Sequence, residues 1–223
     1  IEFPNLQSQQ IDIKWYPYRD VMYADQTNEP FNMYNPETNF SGSLTIKPIG
    51  MTGRGRMDLD KAELRSNQFN FDANAFNADT TSFKLKSIDK KEFNFITENL
   101  NGEIDFTTHE GAFKSNESFT IAEFPKNLYV SYLDQFNWNM TQDEIEIESS
   151  PQIDATASEE IKKLSELKDD NLPGALYMSV HLSQDSLRFA STKAIYRLKD
   201  STINATEVDY IRVADALVYP EKG

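Results

Sequence analysis

The residues of this chain that could do chemistry are few in type. It has two histidines and no cysteine, which removes thiolate nucleophiles, disulfides and thiolate zinc clusters together. His109 lies in Thr107-Thr-His-Glu-Gly111 and reads as a solvated turn residue, and His181 has different flanks. Neither has a partner at metal-ligand spacing, and no Ser-His-Asp arrangement is specified. Carboxylates are plentiful, at Asp58/Asp60, Asp143/Glu144/Glu146/Glu148 and Asp169/Asp170. Paired acids run glycosidases and polysaccharide lyases, but acids alternating along a strand face also keep a sheet soluble, and that is the reading adopted. Asp72 and Asn74 have the spacing of two calcium ligands without the further oxygens or the closing Glu. Gly53-Arg-Gly-Arg56 lacks the following helix and the Lys-Ser/Thr of a phosphate loop and reads as a turn. No catalytic, metal-binding or cofactor-binding residue is assigned, no cofactor is expected, and the chain reads as non-catalytic.

The elements around these residues are strands. Between Gly53 and Ile121 apolar residues fall at every second position: Met57/Leu59, Phe69/Phe71/Ala73, Phe83/Leu85, Phe93/Phe95, Ile104/Phe106 and Phe119/Ile121. That is the period of a half-buried strand. Asn, Asp, Ser and Gly clusters separate the runs, so the chain turns often and lays strand after strand on one apolar face. Phe69, Phe71, Phe83, Phe93, Phe95, Phe106, Phe119, Trp138 and Phe189 are expected to share one interior. Upstream, Ile11–Trp15 alternates and Pro17 ends it; Phe31, Met33 and Phe40 anchor a loop-rich stretch, and Ser43–Ile46 is a further strand. Alternation continues through 128–133, 136–140 and 144–148.

Glu123-Phe-Pro125 repeats Glu2-Phe-Pro4, each followed by polar residues and a Trp-bearing strand, which suggests that the chain passes from the end of one repeat unit through another. From Ser149 the pattern changes. Ile161, Leu164 and Leu167 fall at helical spacing behind a Ser/Thr cap, predicting one short helix over 158–168, stopped by Asp169-Asp-Asn-Leu-Pro-Gly174. Strand alternation resumes at Ala175. The expected organisation is a β-repeat region over 1–148, with 1–18 closing a preceding unit, a helix-containing linker over 149–174, and a continuing β-region over 175–223. The chain opens on Ile1 with no signal pattern and reads as a processed form or a segment of something longer.

Among 223 residues the formal charge is −14 and the sequence pI is near 4.6. That opposes any sequence-independent hold on nucleic acid, which depends on clustered Lys and Arg, and it opposes an anionic bilayer surface. No run of about 18 apolar residues is present to span a membrane.

Gly111-Ala-Phe-Lys-Ser-Asn116, the two Glu-Phe-Pro segments, Gln184-Asp-Ser-Leu-Arg-Phe189 and Val213-Ala-Asp-Ala-Leu-Val-Tyr-Pro220 resemble repeated phrases of large uncharacterised extracytoplasmic β-repeat proteins of Bacteroidota. The resemblance runs from about Ser41 onward. It implies an envelope location, in the periplasm or on the outer-membrane surface, and an elongated β-helix or β-jellyroll-like stack flanked by repeats of the same longer chain. Lipid, glycan or another envelope protein are the partners it suggests; it implies no catalytic residue. More distantly, the Ala-Asp-Ala-x-Val-Tyr phrase is similar to the β-jellyroll of lipopolysaccharide-transport and AsmA-like bridge proteins. Three functions follow as expectations: a non-catalytic envelope scaffold or binding segment, a lipid-transfer bridge with a Phe-lined groove, and a carbohydrate-active β-helix enzyme. A core filled by its own side chains favours the first, an open apolar trough the second, and convergent carboxylates with one raised pKa the third.

Overall fold

The computed structural model describes residues 2–149, 172–184 and 187–221. The helix expected over 158–168 lies outside them, as do Asp169 and Asp170. Within them the chain is all-β, and the one helical turn is the 3-10 turn Pro17–Arg19.

Four short strands come first: β1 (Leu6–Gln7), β2 (Ile11–Tyr16), β3 (Val21–Gln26) and β4 (Phe31–Met33). Five longer ones follow as a meander, β5 (Asn39–Lys47), β6 (Gly50–Asp58), β7 (Ala62–Phe71), β8 (Ala75–Lys86) and β9 (Phe93–Asp105). Each of the five is bent near its middle, so that its two halves belong to opposite layers. β5 shows this plainly: Asn39 and Phe40 pair with β4, whereas Ser43–Ile46 pair with β3. The bend has a local cause. Gly42 faces Gly55 across the ladder, and a Cβ on either would sit 2.1 Å from a backbone oxygen, of Arg54 or of Ser41. Only glycine permits that approach. Register shifts carry the bend across the sheet, between Gly53 and Gly55 in β6 and between Ala78 and Thr81 in β8, as bulges do where strands turn a corner. Gly53-Arg-Gly-Arg56 is therefore strand at a bend; the expected turn is not formed there.

Beyond β9 the chain alternates between the layers in hairpins. After β10 (Glu110–Ser115) come β11 (Thr120–Phe124) with β12 (Tyr129–Leu133), β13 (Gln135–Asn139) with β14 (Glu144–Glu148), and β15 (Ala175–Ser179) with β16 (Arg188–Ser191). β17 (Lys193–Arg197) pairs with β18 (Thr202–Thr206), and β19 (Ile211–Val213) with β20 (Ala216–Val218). Pairings β10–β13 and β14–β17 extend one layer, and β9–β11, β12–β15 and β16–β19 extend the other. The first layer runs β2-β3-β5-β6-β7-β8-β9-β10-β13-β14-β17-β18 and the second β1-β4-β5-β6-β7-β8-β9-β11-β12-β15-β16-β19-β20. All pairs between described strands are antiparallel, so this is a jellyroll-like sandwich rather than a coil of parallel rungs. Twelve strands in the first layer and thirteen in the second, at about 4.8 Å, make the layers roughly 55 Å long.

The layers meet through aromatic rings. Phe83 of the second layer lies 4.5 Å from Phe113, 5.5 Å from Phe136 and 5.4 Å from Trp138 of the first, and Phe95 lies 5.0 Å from Phe136. Phe40 meets Phe71 at 5.4 Å and Phe124 meets Tyr196 at 5.3 Å. The result is one core from Ala24 to Leu198. Of the nine aromatics expected inside, Phe69, Phe71, Phe83, Phe95 and Trp138 are buried, and Phe106 and Phe189 pack half-buried against the core. Phe93 and Phe119 do not join it. A register shift sets Leu85 opposite Phe95 but Lys86 opposite Phe93, which turns Phe93 out of phase beneath the Lys84 ammonium. In β11 the inward residues are Thr120, Ala122 and Phe124, so Phe119 and Ile121 face out.

Candidate functional site

Opposite the bend, the hairpin turns of the two layers face each other across a mouth. Specific bonds tie the two sides together. Lys61, in the turn after β6, pairs with Asp143, in the turn after β13, at 2.6 Å. Asn127 Nδ2 donates to the Ser201 carbonyl at 2.8 Å, buried Asn94 donates to the Ser201 hydroxyl at 3.3 Å, and the Tyr34 hydroxyl donates to the Ala75 carbonyl at 2.8 Å. Burial pushes the Tyr34 phenol well above its usual range, with the nearby Asp72 charge adding to the effect; Tyr34 thus stays a neutral donor to that carbonyl.

Where the turns after β4 and β6 of the second layer meet the turns after β7, β9 and β13 of the first, the mouth holds a cavity of about 470 Å³. Its apolar wall is Tyr34 stacked on Phe106 at 4.5 Å, with Leu59, Met140 and the buried Trp138. The Trp138 indole N–H has no hydrogen-bond partner among the described residues. Around the rim stand Asn35, Glu37, Asp60, Lys61, Asn74 and His109. Tyr34 and His109 both have left-handed backbones, φ 64° and 60°, a conformation uncommon outside glycine and concentrated in turns and at functional sites. Asn35 builds its loop by accepting from the Glu37 N–H at 2.9 Å and the Thr38 hydroxyl at 3.0 Å.

The carboxylates that sequence singled out do not converge. Asp58 pairs with Lys86, Asp60 with Lys90, Asp143 with Lys61, Glu144 with Arg197 and Glu148 with Lys193. The acids whose pKa is displaced are displaced downward. Asp105 is held down by the Thr107 N–H, Asp200 by the Thr202 hydroxyl, Asp89 by the Ser87 hydroxyl and Glu148 by Lys193. They act as turn and ladder fasteners, which is the opposite of what a general acid needs. His109 reaches the cavity rim, whereas His181 sits in the turn after β15, accepting at Nδ1 from the Ser183 N–H. No group of three His, Asp or Glu is placed to hold a metal among the described residues. Asn74, weighed in sequence as half of a calcium loop, lines the cavity instead.

A second concentration of charge lies on the outer face at the bend, where Arg56 and Arg65 are direct cross-strand neighbours. Like charges so placed repel, and Glu63 lies between them, sharing its carboxylate at 3.6 Å and 3.0 Å.

Sequence reasoning missed the cavity because its residues come from five separate turns. The local signals were present only as Asn-Pro at Asn35-Pro36 and as turn residues at Asp72–Asn74 and Thr107–His109. No protein-family model matches this chain, and no curated protein or solved structure is significantly similar to it.

Proposed function

We propose that this chain is a non-catalytic scaffold or binding segment of a larger, extracytoplasmic β-repeat protein, of the kind its Gly111–Asn116 and Val213–Pro220 phrases resemble. One observation carries the reading: the Phe-rich face is occupied by its own side chains. Phe31, Phe40, Phe69, Phe83, Phe95 and Phe124 are fully buried and bonds such as Asn127–Ser201 and Lys61–Asp143 tie the two layers together at the mouth, so the apolar surface that an acyl chain would need is already used.

The pairing order supports the repeat. β1–β4 and β3–β5 stand to the first Glu-Phe-Pro as β12–β15 and β14–β17 stand to the second. Among the described residues each layer also leaves an edge strand with a single neighbour at both ends, β2 and β18 in one and β1 and β20 in the other. Near those edges Ile13, Trp15 and Val218 are about half exposed, as suits surfaces meant to be continued by further strands.

The test is extraction of the purified protein with organic solvent, followed by mass spectrometry, together with a polysaccharide panel read by reducing-end release and unsaturated-product absorbance. The scaffold reading expects neither bound lipid nor turnover. Stoichiometric lipid would replace it with the lipid bridge, and turnover abolished by mutating a pair of facing carboxylates would replace it with an enzyme.

A further inference from the structure

We propose that the mouth cavity is a binding site for a neutral saccharide. A pyranose ring offers one apolar C–H face and a girdle of hydroxyls that both donate and accept. The cavity answers both, with the Tyr34–Phe106 stack and Met140 on one side and the Asn74 amide, the His109 imidazole and the Glu37 carboxylate on the rim. Those three rim side chains make no hydrogen bond or ion pair with any described residue, whereas Lys61 and Asp60 are engaged by Asp143 and Lys90. The groups left to meet a ligand are therefore an amide, an imidazole and a carboxylate beside an aromatic wall, the usual make-up of a pocket that orients a small polar ligand. At about 470 Å³ the cavity has room for one or two sugar rings.

The chemistry disfavours other ligands. Glu37 on the rim and a net charge of −14 repel an anion, and Lys61 is already paired with Asp143. Below the cavity, Trp138 packs on Phe83 at 5.4 Å and closes the way into the core, so there is no depth for an acyl chain. This site is additional to the scaffold reading, which stands whether or not sugar binds.

The two histidines make the test specific, since one lines the cavity and the other lies in the turn after β15. Imidazole C–H proton resonances are followed while cellobiose, maltose, N,N′-diacetylchitobiose or digalacturonate is added to about 20 mM, a range that detects millimolar dissociation constants. At least one neutral disaccharide is expected to move His109 saturably and leave His181 in place. Asn74→Ala and Glu37→Gln, each at an exposed or half-exposed position, are expected to weaken that binding about tenfold with the His181 resonances unchanged as a check on folding. Absence of any saturable shift at His109, a preference for digalacturonate, or undiminished binding in both variants would overturn the proposal.

Discussion

Replacing Phe83 by Ala tests whether the two layers are held by the ring cluster that crosses between them. Phe83 is fully buried and touches four rings, Phe113, Phe136 and Trp138 of the facing layer and Phe95 of its own. Truncating a buried Phe costs about 3–5 kcal/mol in lost transfer energy and residual cavity. Each aromatic pair adds roughly 0.5–1.5 kcal/mol beyond burial, not additively. The site cannot easily collapse, because Phe113 and Phe136 are stacked on each other at 4.8 Å and fixed from both sides of the ladder. The expected loss is therefore at the upper end, about 5 kcal/mol. With a urea m-value of about 2.5 kcal/mol/M, that lowers the unfolding midpoint by about 2 M. Phe119→Ala is the internal control: its ring is half-buried on the outer face against Tyr132 at 5.7 Å, and its loss should cost about 1 kcal/mol or less. Equal losses at the two positions, or a loss below about 2 kcal/mol at Phe83, would refute the assignment of Phe83 to the seam and Phe119 to the surface.

Gly55→Ala should cost more than about 2 kcal/mol, because the new Cβ meets the Ser41 carbonyl; a thermal midpoint within a degree or two of wild type would contradict the role given to the bend. A double-mutant cycle on Lys61 and Asp143, both about one-third exposed, should return a coupling of about 0.5–1 kcal/mol that falls with added salt; a coupling indifferent to salt would deny that the pair acts as an ionic clasp. Asp105 and Asp200 have folded-state pKa values depressed by local donors. The unfolded chain therefore takes up their protons first as pH falls, and their contribution is present above about pH 4 and lost on descending through the folded-state values. Asp105→Asn/Asp200→Asn should accordingly lose less urea stability than wild type between pH 5 and pH 3, and an equal or steeper loss would reverse the sign argued here.

The all-β class was legible because the apolar period of two is strong wherever both faces of a strand differ, as in Phe69/Phe71 and Phe83/Leu85. It misled at two places for physical reasons. At β11 the outward Ile121, and Phe119 just before the strand, are larger than the inward Thr120 and Ala122, so hydrophobicity pointed to the wrong face. At Phe93 a register shift reversed the phase within one strand, and nothing in local composition marks such a shift. Gly55 was read as part of a turn, but what it provides with Gly42 is close approach between paired strands, which depends on a partner thirteen residues away. The cavity was illegible for the same reason: Tyr34, Leu59, Asn74, Phe106 and Met140 belong to turns brought together only by the order in which strands pair.

The alternation of hairpins between layers gives the molecule a unit of length. Each hairpin adds two strands to one layer, about 10 Å at normal strand spacing, while the cross-section at the bend and at the mouth is unchanged. Gain or loss of successive hairpins would thus lengthen or shorten the body in fixed steps, with no redesign of the residues that line its interior. The length of the body thus follows the number of hairpins, and its thickness follows the rings that meet across the two layers.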